Sequence, residues 1–417
     1  MPSLKNGAVI PLADGKGSVT ISGFIAEGGQ GEVYKVNFNG RFYAMKWYCK
    51  EIPSDDFYNN LAKNIKMGSP GEHFLWPMAV TEKIKRKFGY VMKLCPANFK
   101  EYSKFLSGKV LFRSWASMFT AAFNIVESFL ILHSIGYSYQ DLNEGSFFID
   151  PDNGDVLICD NDNVAPYGIN LGVKGTPKYM APEVELNISS PNTHTDRYSL
   201  AVILFRLFYI DHPLEGSYTI KFPLTDKNGM LLFGERPLFI YDPSNPANRP
   251  TLEAQPNVIK RWNMFPPDLK AAFTKAFTVG LKDVNSRITE QQWREILSKA
   301  RGMLVKINGD EQFVNCYKPD TMPAECRLLC TEKQLIAVAP DTEIFMCEID
   351  RTSIDYMTRA GIVKNTVRGF YVLKNQTNMK WRALLPNNSV MDIQPGGALP
   401  LVKGTEADFG NMKAKVY

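Results

Sequence analysis

This 417-residue chain is predicted to be α+β, with turn-punctuated strands first, buried helices next and a β-rich final quarter. Three observations carry that prediction. Asn39-Gly40 sits between two strand-like runs, VYKV at 33–36 and FYAMKW at 42–47. Apolar residues then recur at helical spacing through 115–133. Beyond about Leu304 short strand-like runs return, punctuated by Asn387-Asn388 and Pro395-Gly-Gly397. The length implies two or three domains. A hydrophobic content of 45% and a charged fraction of 22% exclude a largely disordered or collagen-like chain.

Residues 19–80 read as strands with turns between them. The KIKRK cluster at 83–87 is a second break, a solvated hairpin tip, before the strand-like GYVMKL at 89–94. After Ala97 the character changes. Phe119, Ala122, Phe123, Val126, Phe129 and Leu130 line one face of a buried helix over 115–133. Short strands follow at 147–149 and 156–158, separated by the turn DPDNG at 150–154. Helices are expected over 198–209, 268–279 and 291–300. Strands over 363–373, 379–385 and 390–393 suggest a β-sandwich of about 100 residues.

Charge and cysteines narrow the function classes. Forty-eight basic against 43 acidic residues give +5, too weak a bias to argue for nucleic acid or an anionic membrane. MPSLKNGAVIPLADGKG holds no apolar signal-peptide core. The apolar run at 200–210 is interrupted by Arg206, and the run ending in FLIL at 129–132 contains Asn124 and Glu127, so no membrane span is expected. Seven scattered cysteines fit a reducing compartment, and the expectation is a soluble, cytoplasmic protein. Cys316, Cys326, Cys330 and Cys347 invite a zinc reading, but they lack short Cys-x-x-Cys knuckles, and buried free thiols are the expectation.

Four segments carry candidate chemistry. In IAEGGQGEV at 25–33, Gly28 and Gly31 lack side chains, so their backbone can approach phosphates. Lys46, amid a strand after that turn, is poorly explained by packing and suits a bridge between two phosphates. LHSIGYSYQDL at 132–142 ends a helix near Gly136 and delivers Asp141 on a loop, where a carboxylate can accept a hydroxyl proton. VLICD at 156–160 ends a hydrophobic strand in Asp160, a hard oxygen ligand suited to magnesium. Each acid alone is more often a turn or cap residue.

A further segment, GTPKYMAPE at 175–183, makes the pattern specific. With the glycine turn, Lys46, Asp141 and Asp160 in this order, residues 15–300 resemble the eukaryotic-type (Hanks-type) Ser/Thr protein kinase family. TDRYSLA at 195–201 resembles that family's central buried helix, and Arg287 resembles the arginine that pairs with the Ala-Pro-Glu glutamate, here Glu183. The resemblance implies a bilobal fold with a β-rich N-lobe (1–96) and an α-rich C-lobe (97–303), ahead of the small β-sandwich (304–417) that the strand spacing suggests. It implies ATP and Mg2+ as cofactors. Gly28 and Gly31 would cover the phosphates, with Ala26 where a first glycine is usual. Val33 and Ala44 would pack on adenine, Lys46 would hold the α- and β-phosphates, and Met92 resembles the gatekeeper before a hinge at Lys93 to Cys95. Asp141 would be the catalytic base, with magnesium on Asp160 and Ser146.

The departures bear on activity. Tyr139-Gln140-Asp141 stands for His-Arg-Asp, and Gln140 replaces the arginine that binds an activation-loop phosphate. That loop, NDNVAPYGINLGVK at 161–174, holds no Ser or Thr and only Tyr167 to modify. Ser146 replaces the magnesium-binding asparagine and Asn143 a lysine. Asp160-Asn161-Asp162 stands for Asp-Phe-Gly, with Asp162 expected as an extra metal carboxylate. Asn59 and Asn60 lie where the helix should offer Lys46 a glutamate. A working protein kinase is expected, with a nucleotide-binding pseudokinase scaffold as the alternative. A small-molecule phosphotransferase fits less well, because GTPKYMAPE resembles the peptide-substrate platform of protein kinases.

FLWP at 74–77 and CDNDN at 159–163 also resemble a bacterial kinase subgroup, which implies a von Willebrand A protein and a metal-dependent phosphatase as partners besides a protein substrate. FYVLKNQTN at 370–378, Trp381, IQPG at 393–396 and LPLVKGTEADFG at 399–410 resemble the second half of a forkhead-associated domain. The family's Ser-x-x-His signature is missing, and Arg351 and Arg359 are the candidate phosphothreonine contacts.

Overall fold

The computed structural model describes residues 2–223, 225–366 and 369–417. Its N-terminal region is an antiparallel sheet in the order β1-β2-β3-β4-β6-β5. The strands are β1 (Val9–Pro11), β2 (Ser18–Glu27), β3 (Gly31–Phe38), β4 (Arg41–Tyr48), β5 (Ala79–Val80) and β6 (Phe88–Met92). Asn39 and Gly40 join β3 to β4 with φ of 50° and 78°, the left-handed pair that a tight type I′ hairpin requires. Period-two alternation then sorts the side chains. Tyr34, Val36, Met45 and Trp47 fill the core on one face, while Ala44, Tyr48 and Met92 pack on the other.

The strand reading of residues 19–80 is interrupted by helix α1 (Asp55–Met67). Its start is legible locally, because the Ser54 side chain accepts a hydrogen bond from the Phe57 N–H and Asp55 and Asp56 occupy the first turn. Phe57 and Leu61 bury its inner face against Tyr48, Phe88 and Tyr90 of the sheet.

Helices α2 (Trp115–Ser134), α3 (Thr193–Tyr209), α4 (Pro267–Ala276) and α5 (Glu290–Arg301) surround the largest apolar core. Helix α3 begins five residues before its predicted start because Asn192 caps it, its side chain accepting from the His194 N–H. By length and composition alone α2 is apolar enough to cross a bilayer. Here Phe119, Phe123, Val126 and Phe129 are buried in the core shared with α3 and α5. The short strands β7 (Lys100–Glu101), β8 (Tyr137–Ser138), β9 (Phe147–Ile149), β10 (Val156–Ile158) and β11 (Ala165–Pro166) carry the loops between the two regions. β9 and β10 have the predicted bounds.

From Leu304 onward the chain is strand-rich. A hairpin of β12 (Leu304–Ile307) and β13 (Asp310–Phe313) leads into β14 (Arg327–Thr331), β15 (Leu335–Val338), β16 (Glu343–Phe345), β17 (Arg359–Asn365) and β18 (Tyr371–Asn375). β19 (Trp381–Leu384), β20 (Val390–Ile393), β21 (Ala398–Pro400), β22 (Glu406–Asp408) and β23 (Lys413–Val416) complete it. Two sheets, β15-β14-β23-β22-β19-β20 and β16-β17-β18-β21, enclose a core that includes Leu329, Val363, Leu373 and Trp381, consistent with a β-sandwich. The strand predicted over 363–373 is instead parts of β17 and β18, which pair with each other antiparallel up to Asn365 opposite Tyr371, with the Thr366 N–H donating to Phe370 O. Residues 367 and 368 of that prediction lie outside the described residues.

The sandwich is fused to the helices. Glu311 accepts the Trp115 N–H at the start of α2 at 2.5 Å, Arg301 lies 3.4 Å from the Phe345 ring centroid, and Arg294 stacks over Tyr356 at 4.5 Å. Arg351 and Arg359 are each ion-paired, to Glu332 and Glu343. Both guanidinium groups therefore have carboxylate partners within the chain. The four C-terminal cysteines do not converge. Cys316 and Cys326 belong to one small core, Cys347 packs in the helical core and Cys330 lies on β14. Among the described residues no set of three or more His, Cys, Asp or Glu could hold a metal ion.

A buried ionic triad ties α2, α3 and α5 together. His133 Nδ1 lies 2.9 Å from Glu290, and Nε2 lies 3.1 Å from Asp196. Burial pulls the imidazole pKa down, but hydrogen bonds to Asp196 and Glu290 outweigh it and raise the value to about 9 from an ordinary 6.5. Stabilisation from His133 is therefore full below pH 6.5 and lost as pH rises through 9. The shift corresponds to roughly 3 kcal/mol. Chemical denaturation from pH 6 to 10 is expected to show that decline, and His133→Gln to flatten it; an unchanged slope in the variant contradicts this assignment.

Candidate active site

The loop after α2 is built to present Asp141. Gly136 takes a φ of 81° just past the helix end, and the chain then turns back along β8. The Tyr139 and Gln140 N–H groups donate to the two Asp196 oxygens at 2.6 and 3.0 Å, hanging the loop from buried helix α3. Tyr139 is fully buried, packs edge-on against Phe129 and donates its hydroxyl to Cys159 O, filling an apolar slot beneath the site. Asp141 Oδ1 accepts from Thr176 Oγ1 at 2.7 Å and from Asn143 Nδ2 at 3.3 Å. No described group bonds its Oδ2, which leaves lone pairs for an incoming hydroxyl.

Asp160 follows β10 in a left-handed conformation, φ 54°, strained for a residue with a Cβ and of the kind that collects at functional sites. Strand β4 aims Lys46 at it, with Nζ 3.2 Å from Asp160 Oδ1 and 2.8 Å from Asp162 Oδ2. Asp162 is completely buried, and its oxygens also accept from the hydroxyls of Tyr48 and, at 3.2 Å, Tyr90. Burial lowers the Lys46 pKa, but the Asp160 and Asp162 charges outweigh it, so the amine stays protonated. Asp162 was expected as an extra metal ligand, and here it faces the lysine with both oxygens engaged.

Other expected residues fall into two groups. Ala44 and Met92 form one apolar cluster with Val33, Cys95, Phe148 and Leu157, so both regions contribute to its walls. β6 ends at Met92, and residues 93–95 run on with no strand partner among the described residues. The glycine turn is less informative. The Gly28 N–H donates to Gly31 O, and Ala26 is exposed on β2. Gly31 is required for another reason: a Cβ there would lie 2.0 Å from Trp47 O, so close approach to β4 demands glycine. Ser146 is nearly fully buried, its hydroxyl accepting from the Asn143 N–H in a capping box and donating to Asp141 O at 3.4 Å. Its hydrogen and one of its two lone pairs thus already serve the loop.

The protein kinase domain family model matches residues 19–250, more than half of the chain. The chain belongs to that family. It is 29% identical over 201 residues to protein kinase YegI of Escherichia coli (strain K12), covering 46% of this chain and 30% of that protein. It is also 29% identical over 200 residues to a Drosophila melanogaster cGMP-dependent protein kinase (isozyme 2 forms cD5/T2), covering 46% of this chain and 21% of that one. The chain therefore spans under a third of the length of these curated relatives. The solved kinase domain of PknI from Mycobacterium tuberculosis, a double mutant, aligns with 71% of this chain and 96% of its own at 14% identity and a TM-score of 0.46.

Several kinase features are rebuilt from different residues. Asn59 is exposed, whereas Asn60 and Asn64 of α1 both donate to Val164 O, at 2.9 and 2.7 Å. Gln140, in place of the usual arginine, donates to Ile169 O at 2.5 Å, and the Tyr167 N–H reaches Gly136 O. Neutral amides thus hold the activation segment by its backbone. Asp162, Tyr48, Tyr90 and Asn64 escaped the sequence reading of Lys46. Part of the signal was present: period two puts Tyr48 on the Lys46 face of β4, and Tyr90 pairs with Lys46 across the β4–β6 register.

Arg287 grips Glu183 through two bonds of 2.7 and 2.8 Å and also donates to Gly280 O and His194 O. Arg287→Ala is expected to destabilise by about 3–5 kcal/mol, because it leaves Glu183 and two carbonyls without their donor. Arg287→Lys should restore only part, lacking the planar fork. Urea denaturation of the three proteins measures both, and equal stability of all three contradicts the assignment.

Proposed function

We propose that this kinase domain is an atypical Ser/Thr protein kinase that transfers the γ-phosphate of ATP to a protein hydroxyl. The observation that carries this reading is the convergence of Lys46 and Asp160, 3.2 Å apart, with Asp141 held by Thr176 of the GTPKYMAPE segment. The donor set fits a magnesium-bound triphosphate, since it offers one ammonium, one half-exposed carboxylate and an apolar wall. ATP supplies the phosphoryl group and magnesium neutralises its charge when they are bound. Lys46 would bind the α- and β-phosphates, and Asp160 would hold the metal. Asp141 would orient the substrate hydroxyl and take its proton at Oδ2.

A pseudokinase scaffold is the second reading, favoured by the capped hydroxyl of Ser146, which leaves Asp160 as the metal carboxylate. The von Willebrand A and phosphatase partners rest on FLWP and CDNDN alone. In the fold these motifs brace each other. The Leu75 N–H donates to Ile158 O at 2.8 Å, and Asn161 Nδ2 donates to Leu75 O at 3.0 Å. A role as a brace for the helices, or as a docking module, suits the C-terminal sandwich, whose forkhead-associated likeness is confined to its second half.

Purified protein with γ-labelled ATP, magnesium and a generic protein substrate tests the reading. Asp141→Asn is expected to lower transfer about a thousandfold, within the range of general-base contributions. Equal labelling by both proteins removes the claim of catalysis, and ATP binding without turnover in the wild type favours the scaffold. Phosphatase pretreatment should leave turnover unchanged, because amides rather than an arginine–phosphate pair hold the activation segment. A stoichiometric phosphate on Tyr167 that raises turnover contradicts that.

A further inference from the structure

We propose that Asp162 is the positioning residue that orients Lys46 toward the nucleotide, a duty that a glutamate on the helix performs in related kinases. The inference rests on the kinase reading above and assigns one residue within it. Asp162 sits on the same short turn as Asp160, so one loop would supply both the metal carboxylate and the lysine's anchor.

Four observations carry it. First, Asp162 is completely buried, and a buried carboxylate is strongly destabilising unless it is paired and hydrogen-bonded. Its partners meet that demand: Lys46 and Tyr48 on Oδ2 and Tyr90 on Oδ1. Second, those contacts take three of the carboxylate's roughly four lone-pair directions, and its complete burial leaves the remaining one on Oδ1 out of reach of a hydrated ion. Third, helix α1 presents amides, not a carboxylate, to this region. Asn60 and Asn64 converge on Val164 O, and a glutamate at either place would set its oxygens against that carbonyl. The missing acid on α1 and the extra acid at 162 are thus two sides of one exchange. Fourth, the turn is fixed from outside the nucleotide site, since Asn161 Nδ2 donates to both Leu75 O and Ile158 O. A consequence follows for regulation. Lys46 is placed by the turn at 160–163, so a swing of α1 would not by itself disconnect it.

Calorimetric titration of wild type, Asp162→Asn, Lys46→Met and the double variant with ATP and with adenosine tests this, with and without magnesium. Asp162→Asn is expected to weaken ATP about tenfold, in line with loss of a charged hydrogen bond, and to leave adenosine unchanged. The loss should persist without magnesium, whereas a metal-ligand role would show only with it. In the double variant ATP should bind no more weakly than to Lys46→Met alone. Wild-type ATP affinity in Asp162→Asn, an equal loss of adenosine, or fully additive losses overturns the proposal. If Asp162→Asn does not fold, Tyr90→Phe replaces it, with an expected loss of about threefold for ATP only; unchanged ATP affinity there overturns it as well. A wild type that binds neither ligand ends the kinase reading too, whereas tight wild-type ATP binding with indifferent variants ends this inference alone.

Discussion

A lysine and an aspartate buried together between the sheet and the catalytic loops are the constraint on which the site depends. Lys46 is mostly buried and Asp162 wholly so, and each alone would be strongly destabilising. Together, with Tyr48 and Tyr90 satisfying the carboxylate, they fix where the amine points. That direction leads to Asp160, which stands in a strained left-handed conformation at the mouth of the site. The strain is sustained because the turn beyond it is over-determined, with Asn161, Asp162 and Val164 each bonded to a different element.

The same logic extends to the activation segment. Where a phosphate and an arginine would meet, Gln140 reaches a backbone carbonyl, and Asn60 and Asn64 reach another. These bonds run from neutral amides to backbone carbonyls, so none of them depends on a charged side chain. Below it, the loop that carries Asp141 hangs from Asp196, which His133 and Glu290 tie to α2 and α5. Arg294 and Arg301 of α5 stack on Tyr356 and Phe345 of the C-terminal region, so the sandwich adds to the rigidity of that scaffold.

Much of this was legible in the residues, and the reasons for the gaps are physical. Asn39-Gly40, the period-two runs around it and the apolar face of α2 report local geometry, and local geometry is what sequence periodicity encodes. Lys46, Asp141 and Asp160 were singled out because their order and neighbours leave few alternatives. Helix α1 was hidden inside a strand-like stretch, although its Ser54 cap and acidic first turn mark it. Asp162 was read as a metal carboxylate because its neighbour Asp160 was read as one. The direction of its side chain depends on the register of β4 against β6, whose contacting residues lie 72 to 116 positions away along the chain. Ser146 shows the same limit, since a hydroxyl's availability depends on whether a cap uses it. Gly31, read as a phosphate contact, is demanded by the approach of β4.

A crystal structure with a non-hydrolysable ATP analogue and magnesium tests the central claim most directly. The account expects Asp162 to remain bonded to Lys46, Tyr48 and Tyr90, the metal to sit on Asp160 and the amine to touch the triphosphate. A metal bound to Asp162, or a Lys46 that turns from it to another acid once nucleotide is present, contradicts the account.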